Sequence, residues 1–216
     1  RLRNKFESRN LRFRVRSVRI DEVEKILRQM KKSRSSGLDG ISSENIRPII
    51  KQVAPALTEV INSSFREGIF PRVYKCAKVI PIYKNKGHKD DPSSYRPISN
   101  LSTFGKCQEI AMGIQLRAYC EQHGLFGTHQ HAFRRSRSTT TALLTAITRL
   151  RTDRKGTFRA ILLYDLSAAY DVLPKNHLLE KASIVGIKNI EHKWLTSYLS
   201  GRSQIVQVNE ARSSEI

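Results

Sequence analysis

The stretch AKVIPIYKNKGHKDDPSSYRPISNL, residues 77–101, does most to limit what this chain can become. Lys78 to Tyr83 reads as a strand, Lys84 to Ser94 as a polar turn, and Tyr95 to Leu101 as the return, which together make a long hairpin. Elsewhere apolar residues mostly recur at helical spacing. Val23, Ile26, Leu27 and Met30 form one stripe behind Asp21 and Glu24, which resemble a capping box. Leu57, Val60, Ile61 and Phe65 form the inner face of a helix over about 55–67 that Gly68 stops, and Cys107, Ile110, Ala111, Ile114 and Ala118 form one from Lys106 to Gln122. Ala142, Leu143, Ala146, Ile147 and Leu150 make another. Pro174 opens a helix through Leu178, Leu179 and Ala182 that Gly186 ends, and the last helix carries Ile190, Trp194, Leu195 and Tyr198 before SGRSQIVQVNE turns into a strand. Residues 11–20 alternate Leu11, Phe13 and Val15 against Arg12, Arg14 and Arg16, which reads as a short strand with an arginine face. The sum is an α+β fold, and 216 residues suffice for one domain with subregions.

The charge narrows the partner. Lys and Arg number 39 against 19 Asp and Glu, a formal +20, while 39% of residues remain apolar. That describes a folded protein with a polyanionic partner, nucleic acid first, with a ribosomal-type or merely basic domain as the alternative. Cys76, Cys107 and Cys120 lack paired spacing, and the histidines at 88, 123, 129, 131, 177 and 192 form no zinc pattern with them. No apolar run approaches the roughly 20 residues that span a bilayer, and the Arg-rich start has no apolar signal core. No membrane partner, an intracellular setting and, from the start on Arg rather than Met, a fragment of a longer protein are expected.

Three basic loops could meet that partner. SRSSGLDG follows Lys31 and Lys32, and it either approaches a phosphate backbone closely or is a solvated turn. The hairpin tip holds Lys84, Lys86 and Lys89, with Arg96 beyond, a cluster suited to a triphosphate or a strand backbone unless it is simply a solvated face. GTHQHAFRRSRST, residues 127–139, interleaves Phe133 with Arg134, Arg135 and Arg137, so that a ring can stack on a base while guanidinium groups hold phosphates. His129 and His131 read as incidental neighbours in that loop rather than a metal pair.

The stretch AILLYDLSAAYDVLP, residues 160–174, raises the question of chemistry. Residues 160–163 are apolar at both parities, so Arg159 to Tyr164 reads as a strand covered on both faces, with Asp165 where it emerges. A carboxylate is costly to bury, so Asp165 lies at an exposed edge or is neutralised by a cation, for which magnesium is the natural choice beside nucleic acid. A capping or turn aspartate is the plainer reading.

Five segments, in order, resemble the reverse transcriptase domain of non-LTR (LINE-type) retrotransposons: SGLDGISSENIRP at 36–48, VIPIYKNKG with YRPISNL within 79–101, QHAFRRSRSTTTAL at 130–143, ILLYDLSAAYDVLPKNHLLEKASIVGI at 161–187, and WLTSYLSGRSQIVQVN at 194–209. The resemblance implies the fingers and partial palm of a right-hand polymerase, an incomplete antiparallel palm sheet with helices packed on it. It divides the chain into a basic extension and strand at 1–20, fingers and the start of the palm at 21–158, and palm with the first catalytic aspartate at 159–216.

It further implies that Asp165 and the backbone carbonyl of Leu166 hold two catalytic magnesium ions, and that Tyr170, where the family more often has Phe, is the steric gate against a 2′-hydroxyl. Asp171 reads as a helix cap. Arg96 matches the arginine that holds the incoming deoxynucleoside triphosphate, with Lys84 or Lys86 as a second contact. Gln130, Phe133 and Arg134, with Arg135 and Arg137, match a loop near the templating strand. The implied partners are an RNA template and a DNA primer, acting in the nucleus. The family's later paired-aspartate hairpin has no counterpart before Ile216, and the adjacent pair Asp90-Asp91 lies far upstream, so the isolated chain is expected to bind RNA without extending a primer. A domesticated RNA-binding module and a group II intron maturase are the alternatives weighed.

Overall fold

The computed structural model describes residues 10–151, 160–166 and 172–216. Arg159, Tyr170 and Asp171, and with them the expected sugar gate and helix cap, lie outside the described residues. The chain divides into two units, one of Arg1–Arg117 with Lys175–Ile216 and one of Ala118–Pro174.

In the first unit helices pack on one another beside an open four-stranded sheet. The helices are α1 (Ile20–Gln29), α2 (Ser43–Ile46), α3 (Ile50–Glu67), α4 (Thr103–Gln122, which runs on into the second unit), α6 (Lys175–Ile184) and α7 (Asn189–Leu199). The strands are β1 (Cys76–Tyr83), β2 (Tyr95–Asn100), β3 (Ser203–Val208) and β4 (Ala211–Arg212), in the order β2-β1-β3-β4. β1 and β2 form the expected antiparallel hairpin, with Tyr83 opposite Tyr95 and Lys78 opposite Asn100. β3 lies parallel to β1, so the sheet is mixed rather than purely antiparallel. A parallel neighbour needs a long crossover, and here the whole chain between residues 84 and 202 supplies it.

α3 is the centre of the core. Ile50, Ala54, Leu57, Ile61 and Phe65 are buried along one stripe, with α1 and α7 packed against the helix. It begins five residues before the expected start and continues through Pro55. The N–H that Pro55 lacks would have bonded the carbonyl of Lys51, and both residues are exposed, so water can take that acceptor. Val60, expected on the inner face, is 41% exposed; Thr58, Asn62 and Ser64 are buried instead.

Their polar atoms are paired. Thr58 bonds the carbonyl of Ala54, and the Asn62 amide bonds both backbone groups of Val18. Ser64 Oγ accepts from Gln108 Nε2 and from Trp194 Nε1 at 2.9 Å, and donates to the carbonyl of Ile69 at 2.5 Å. One hydroxyl, used to full capacity, thus ties α3 to α4 and α7. Gln108 is completely buried in consequence, whereas Ile110 and Ile114, expected on the inner stripe of α4, are 38% and 51% exposed.

The N-terminal stretch is a second correction. Leu11, Phe13 and Val15 do point inward while Arg12, Arg14 and Arg16 are exposed, but the segment pairs with none of the described strands. Its backbone is bonded one group at a time from elsewhere. Phe13 N donates to Gly186 O, Val15 N to Glu191 Oε1, Arg16 N to Gln115 Oε1, and Val18 N to Asn62 Oδ1. Side chains of three helices and the backbone carbonyl of one turn therefore do the work of a neighbouring strand.

The capping of α1 is also displaced. Arg19 is the N-cap residue and Glu22 reaches back to its N–H at 3.0 Å, while Asp21 pairs with the Arg19 guanidinium and Glu24 with Arg28. A hydrogen bond from Arg16 holds the Glu22 carboxyl down at about 2.

Gly37 sets the course of the loop after α1. A Cβ there would sit 2.7 Å from Ser102 N and 2.9 Å from Leu101 C, both backbone atoms at the junction of β2 and α4. The loop is fastened at the same place by Thr103 Oγ1 bonding Ile41 O. Gly37→Ala is therefore expected to destabilise the first unit by about 1–3 kcal/mol through overpacking, read as a lowered urea midpoint with unchanged slope.

The second unit contains the end of α4 and α5 (Thr139–Arg151), none of whose residues is buried. The expected strand before Asp165 is absent here. Residues 160–166 have no regular structure, and Leu162, Leu163 and Tyr164 are 76%, 91% and 88% exposed. An apolar run becomes a strand only when a partner takes its N–H and C=O groups, and none of the described strands pairs with it. Asp165 is accordingly exposed. Among the described residues no helix is long and apolar enough to cross a membrane.

Candidate nucleic-acid interface

The hairpin presents its residues on two faces because side chains alternate along each strand. Ala77 and Val79 are buried on one face. On the other, Lys78, Ile80 and Ile82 stand across from Asn100, Ile98 and Arg96. Ile80, Ile82 and Ile98 are 37%, 52% and 42% exposed, and Arg96 is exposed beside them. The result is an open apolar strip with a guanidinium at one end and Lys78, which bonds Ser36, at the other. Such a surface can take the flat face of a base or sugar while the cations hold phosphate.

The tip of the hairpin is fixed by its own bonds. Tyr83 and Tyr95 lie with ring centroids 5.5 Å apart, and their hydroxyls bond the carbonyls of Gly87 and Lys89. Asp91 accepts from Ser93 N and Ser93 Oγ, bonds that hold its carboxyl below the usual carboxylate range. Half of the acidic pair Asp90-Asp91 is thus a turn cap. Lys84 donates from its ammonium to Ser93 O at 2.7 Å and closes the base of the turn. Lys86 is exposed at the tip.

The loop at 127–138, in the second unit, is organised by Arg134. Its guanidinium makes a bidentate pair with Glu121, at 3.0 and 2.6 Å, bonds Gly127 O, and lies 5.2 Å above the Phe126 ring. These bonds lower the Glu121 carboxyl and raise the arginine. Arg137 bonds Thr128 O, and Gln130 N bonds Gly127 O. Phe133, at φ 60, is turned outward and 75% exposed, with Arg135 exposed beside it. One arginine therefore shapes the loop, and a ring and a second arginine face solvent. His129 takes a hydrogen bond from Arg149 at 2.8 Å, and His131 bonds Thr141, so both histidines have structural partners.

Asp165 follows the exposed run in the same unit, and its Oδ1 accepts from Leu166 N at 2.9 Å. A carboxylate is the hard oxygen donor that magnesium takes, so the residue fits a share in an ion site. It is not a site alone, since among the described residues no group of three or more His, Cys, Asp or Glu could hold a metal.

Sequence reasoning passed over Ile80, Ile82 and Ile98 as interface residues. Their signal was present: three large apolar residues on the hairpin face opposite buried Ala77 and Val79, in register with Arg96.

No family profile matches the chain. Known proteins do. It is 25% identical over 207 residues, 92% of its length, to the probable RNA-directed DNA polymerase from transposon BS of Drosophila melanogaster, of which it covers 22%. It is 27% identical over 202 residues, 90% of its length, to the probable RNA-directed DNA polymerase from transposon X-element of the same organism, covering 21% of that protein. The RNA-directed DNA polymerase from mobile element jockey of Drosophila funebris matches at 26% over 198 residues, 91% of this chain and 22% of the relative. The chain thus spans about a fifth of the length of the curated relatives it matches. Matched over about nine-tenths of its residues, the chain is a homologue of the RNA-directed DNA polymerases of non-LTR retrotransposons.

Proposed function

We propose that this chain is fingers and palm sequence of a reverse transcriptase, which positions an RNA template, a DNA primer and a deoxynucleoside triphosphate for nuclear DNA synthesis. The observation that carries the reading is the match to RNA-directed DNA polymerases along nearly the whole chain. The hairpin face supports it, because Arg96 stands exposed at the end of an apolar strip. Arg96 holds the triphosphate. Lys86 is the second contact, since the ammonium of Lys84 already closes the hairpin. Phe133, Arg135 and Arg137 meet the templating strand, on a loop whose shape Arg134 and Gln130 maintain.

Asp165, with the backbone carbonyl of Leu166, is one contributor to the magnesium site, and Tyr170 is the gate that excludes a 2′-hydroxyl. When bound, the ions activate the primer's 3′-hydroxyl and stabilise charge on the attacked phosphate. The protein's part is to present the Asp165 carboxylate and to keep the nucleotide oriented.

Binding tests the reading directly. The chain should bind single-stranded RNA with an affinity that falls steeply with salt, and Arg135→Ala with Arg137→Ala should lower the slope of log K against log salt by about 1.4. Fluorescence anisotropy at several salt concentrations measures it. An unchanged slope would remove the loop from the interface. Primer extension by a full-length polymerase carrying this segment separates the enzyme from a non-catalytic RNA-binding module, whose binding would be salt-sensitive and independent of magnesium.

A further inference from the structure

A separate cleft in the first unit, of about 320 Å3, has Lys31, Ser35, Ser43, Thr103, Lys106 and Glu109 on its polar lining. Its two ammonium groups stand apart from the other cations nearby. Lys32 and Arg34 are in ion pairs with Glu44, at 3.3 and 3.2 Å. Neither Lys31 nor Lys106 is in an ion pair among the described residues.

Both lysines grow from fixed backbone. Ser43 Oγ donates to Lys31 O at 2.8 Å and accepts from Ser33 N at 3.0 Å, which pins the chain leaving α1. Lys106 lies in the first turn of α4, its N–H bonded to Ser102 O at 2.9 Å. Thr103 Oγ1 donates to Ile41 O, so the wall between the two lysines is tied as well. Ser35 is exposed at the rim, its N–H bonded to Ser33 Oγ, with a hydroxyl that can donate.

The one acid on the lining, Glu109, is half-buried, and the charges of Arg202 and Lys106 both act on it. The Glu109 carboxyl is hydrogen-bonded by Tyr198, and its Oε1 is buried without a hydrogen-bond partner. Two ammonium groups on rigid roots and a hydroxyl donor make a receptor for a compact anion with several acceptor oxygens.

We propose that this cleft binds a phosphate group through Lys31 and Lys106, with Ser35 as a third donor. The phosphate belongs either to the backbone of an RNA strand, which rests on the polymerase reading, or to a free phosphate ester, which does not.

The test compares the chain with a Lys31→Gln/Lys106→Gln variant and with a Lys25→Gln/Lys51→Gln control that removes the same charge from α1 and α3. Inorganic phosphate is titrated while the amide resonances of Ser35 and Lys106 are followed by NMR, and single-stranded RNA binding is measured against salt. Backbone binding predicts a salt slope lower by about 1.4 in the cleft variant and unchanged in the control, with little response to inorganic phosphate. A free ester predicts saturable shifts at Ser35 and Lys106 that the cleft variant loses, with no change in RNA slope. Failure of both arms overturns the proposal. If the chain bound no RNA at all, the polymerase reading would fall, and the phosphate titration would still decide the cleft.

Discussion

Asp165→Asn in a full-length polymerase carrying this segment should cut primer extension by about a thousandfold while leaving template–primer affinity within a few-fold. The substitution removes a charge and almost nothing else. Asp165 is exposed, and an asparagine Oδ1 can still accept from Leu166 N as the carboxylate does at 2.9 Å, so local structure should persist. What disappears is a hard anionic ligand. Metal ions supply several kcal/mol of transition-state stabilisation, and about 4 kcal/mol corresponds to roughly a thousandfold in rate. Extension within tenfold of the parent would show that Asp165 holds no catalytic metal. Loss of binding along with extension would place it in the nucleic-acid contact instead.

Trp194→Ala should be the most damaging single change to the first unit, at about 3–5 kcal/mol. Trp194 is 3% exposed and stacks on Tyr198 with ring centroids 5.4 Å apart, while Phe65 and Phe70 meet it edge-on at 5.9 and 5.5 Å. Arg202 continues the cluster, lying 5.0 Å above Tyr198 and 5.9 Å from Phe70. Truncation opens a cavity at the meeting of α3 and α7 and also strips Ser64 of one donor. A domain has only about 5–15 kcal/mol in all, so the variant should be close to unfolded at 37 °C. Trp194→Phe keeps a ring and loses the N–H, and should cost about 1 kcal/mol for the missing bond plus the lost ring volume. Urea denaturation of the pair measures both. Equal midpoints for the two variants would mean that ring packing contributes little there.

Residues 78–101 were legible because both strands and the turn between them are local. Tyr, Ile and Val alternate around a segment whose Gly, Asp, Pro and Ser close it by their own bonds. The helices were legible in place but less so in face. Periodicity favours Val60 and Ile110 as core, yet Asn62, Ser64 and Gln108 are inside, since each finds its partner on a segment distant in sequence. Single-sequence periodicity cannot see such partners.

The same limit explains residues 160–164. Their apolar character says that they should be covered, and coverage by a strand is a property of the partner rather than of the run. At the interface, the cations were visible as composition. Which of them are occupied was not: Arg134 is held by Glu121 and Lys84 by Ser93 O, whereas Arg96, Lys86 and Arg135 are exposed.

The N-terminal stretch has a consequence for the order of events in folding. Its bonds join Arg16 to Gln115, Val18 to Asn62 and Val15 to Glu191, separations of 99, 44 and 176 residues. A segment whose partners sit on three different helices gains nothing until those helices have met, so it closes the structure last and opens it first. Amide exchange at Val15, Arg16 and Val18 should therefore be faster than at Ile61 or Val79, with the three opening together as one unit. Those ten or so residues act as a latch on an assembled body, and their release would uncover Phe13 and Val18, at 4% and 6% exposure the only apolar anchors the latch buries deeply among the described residues.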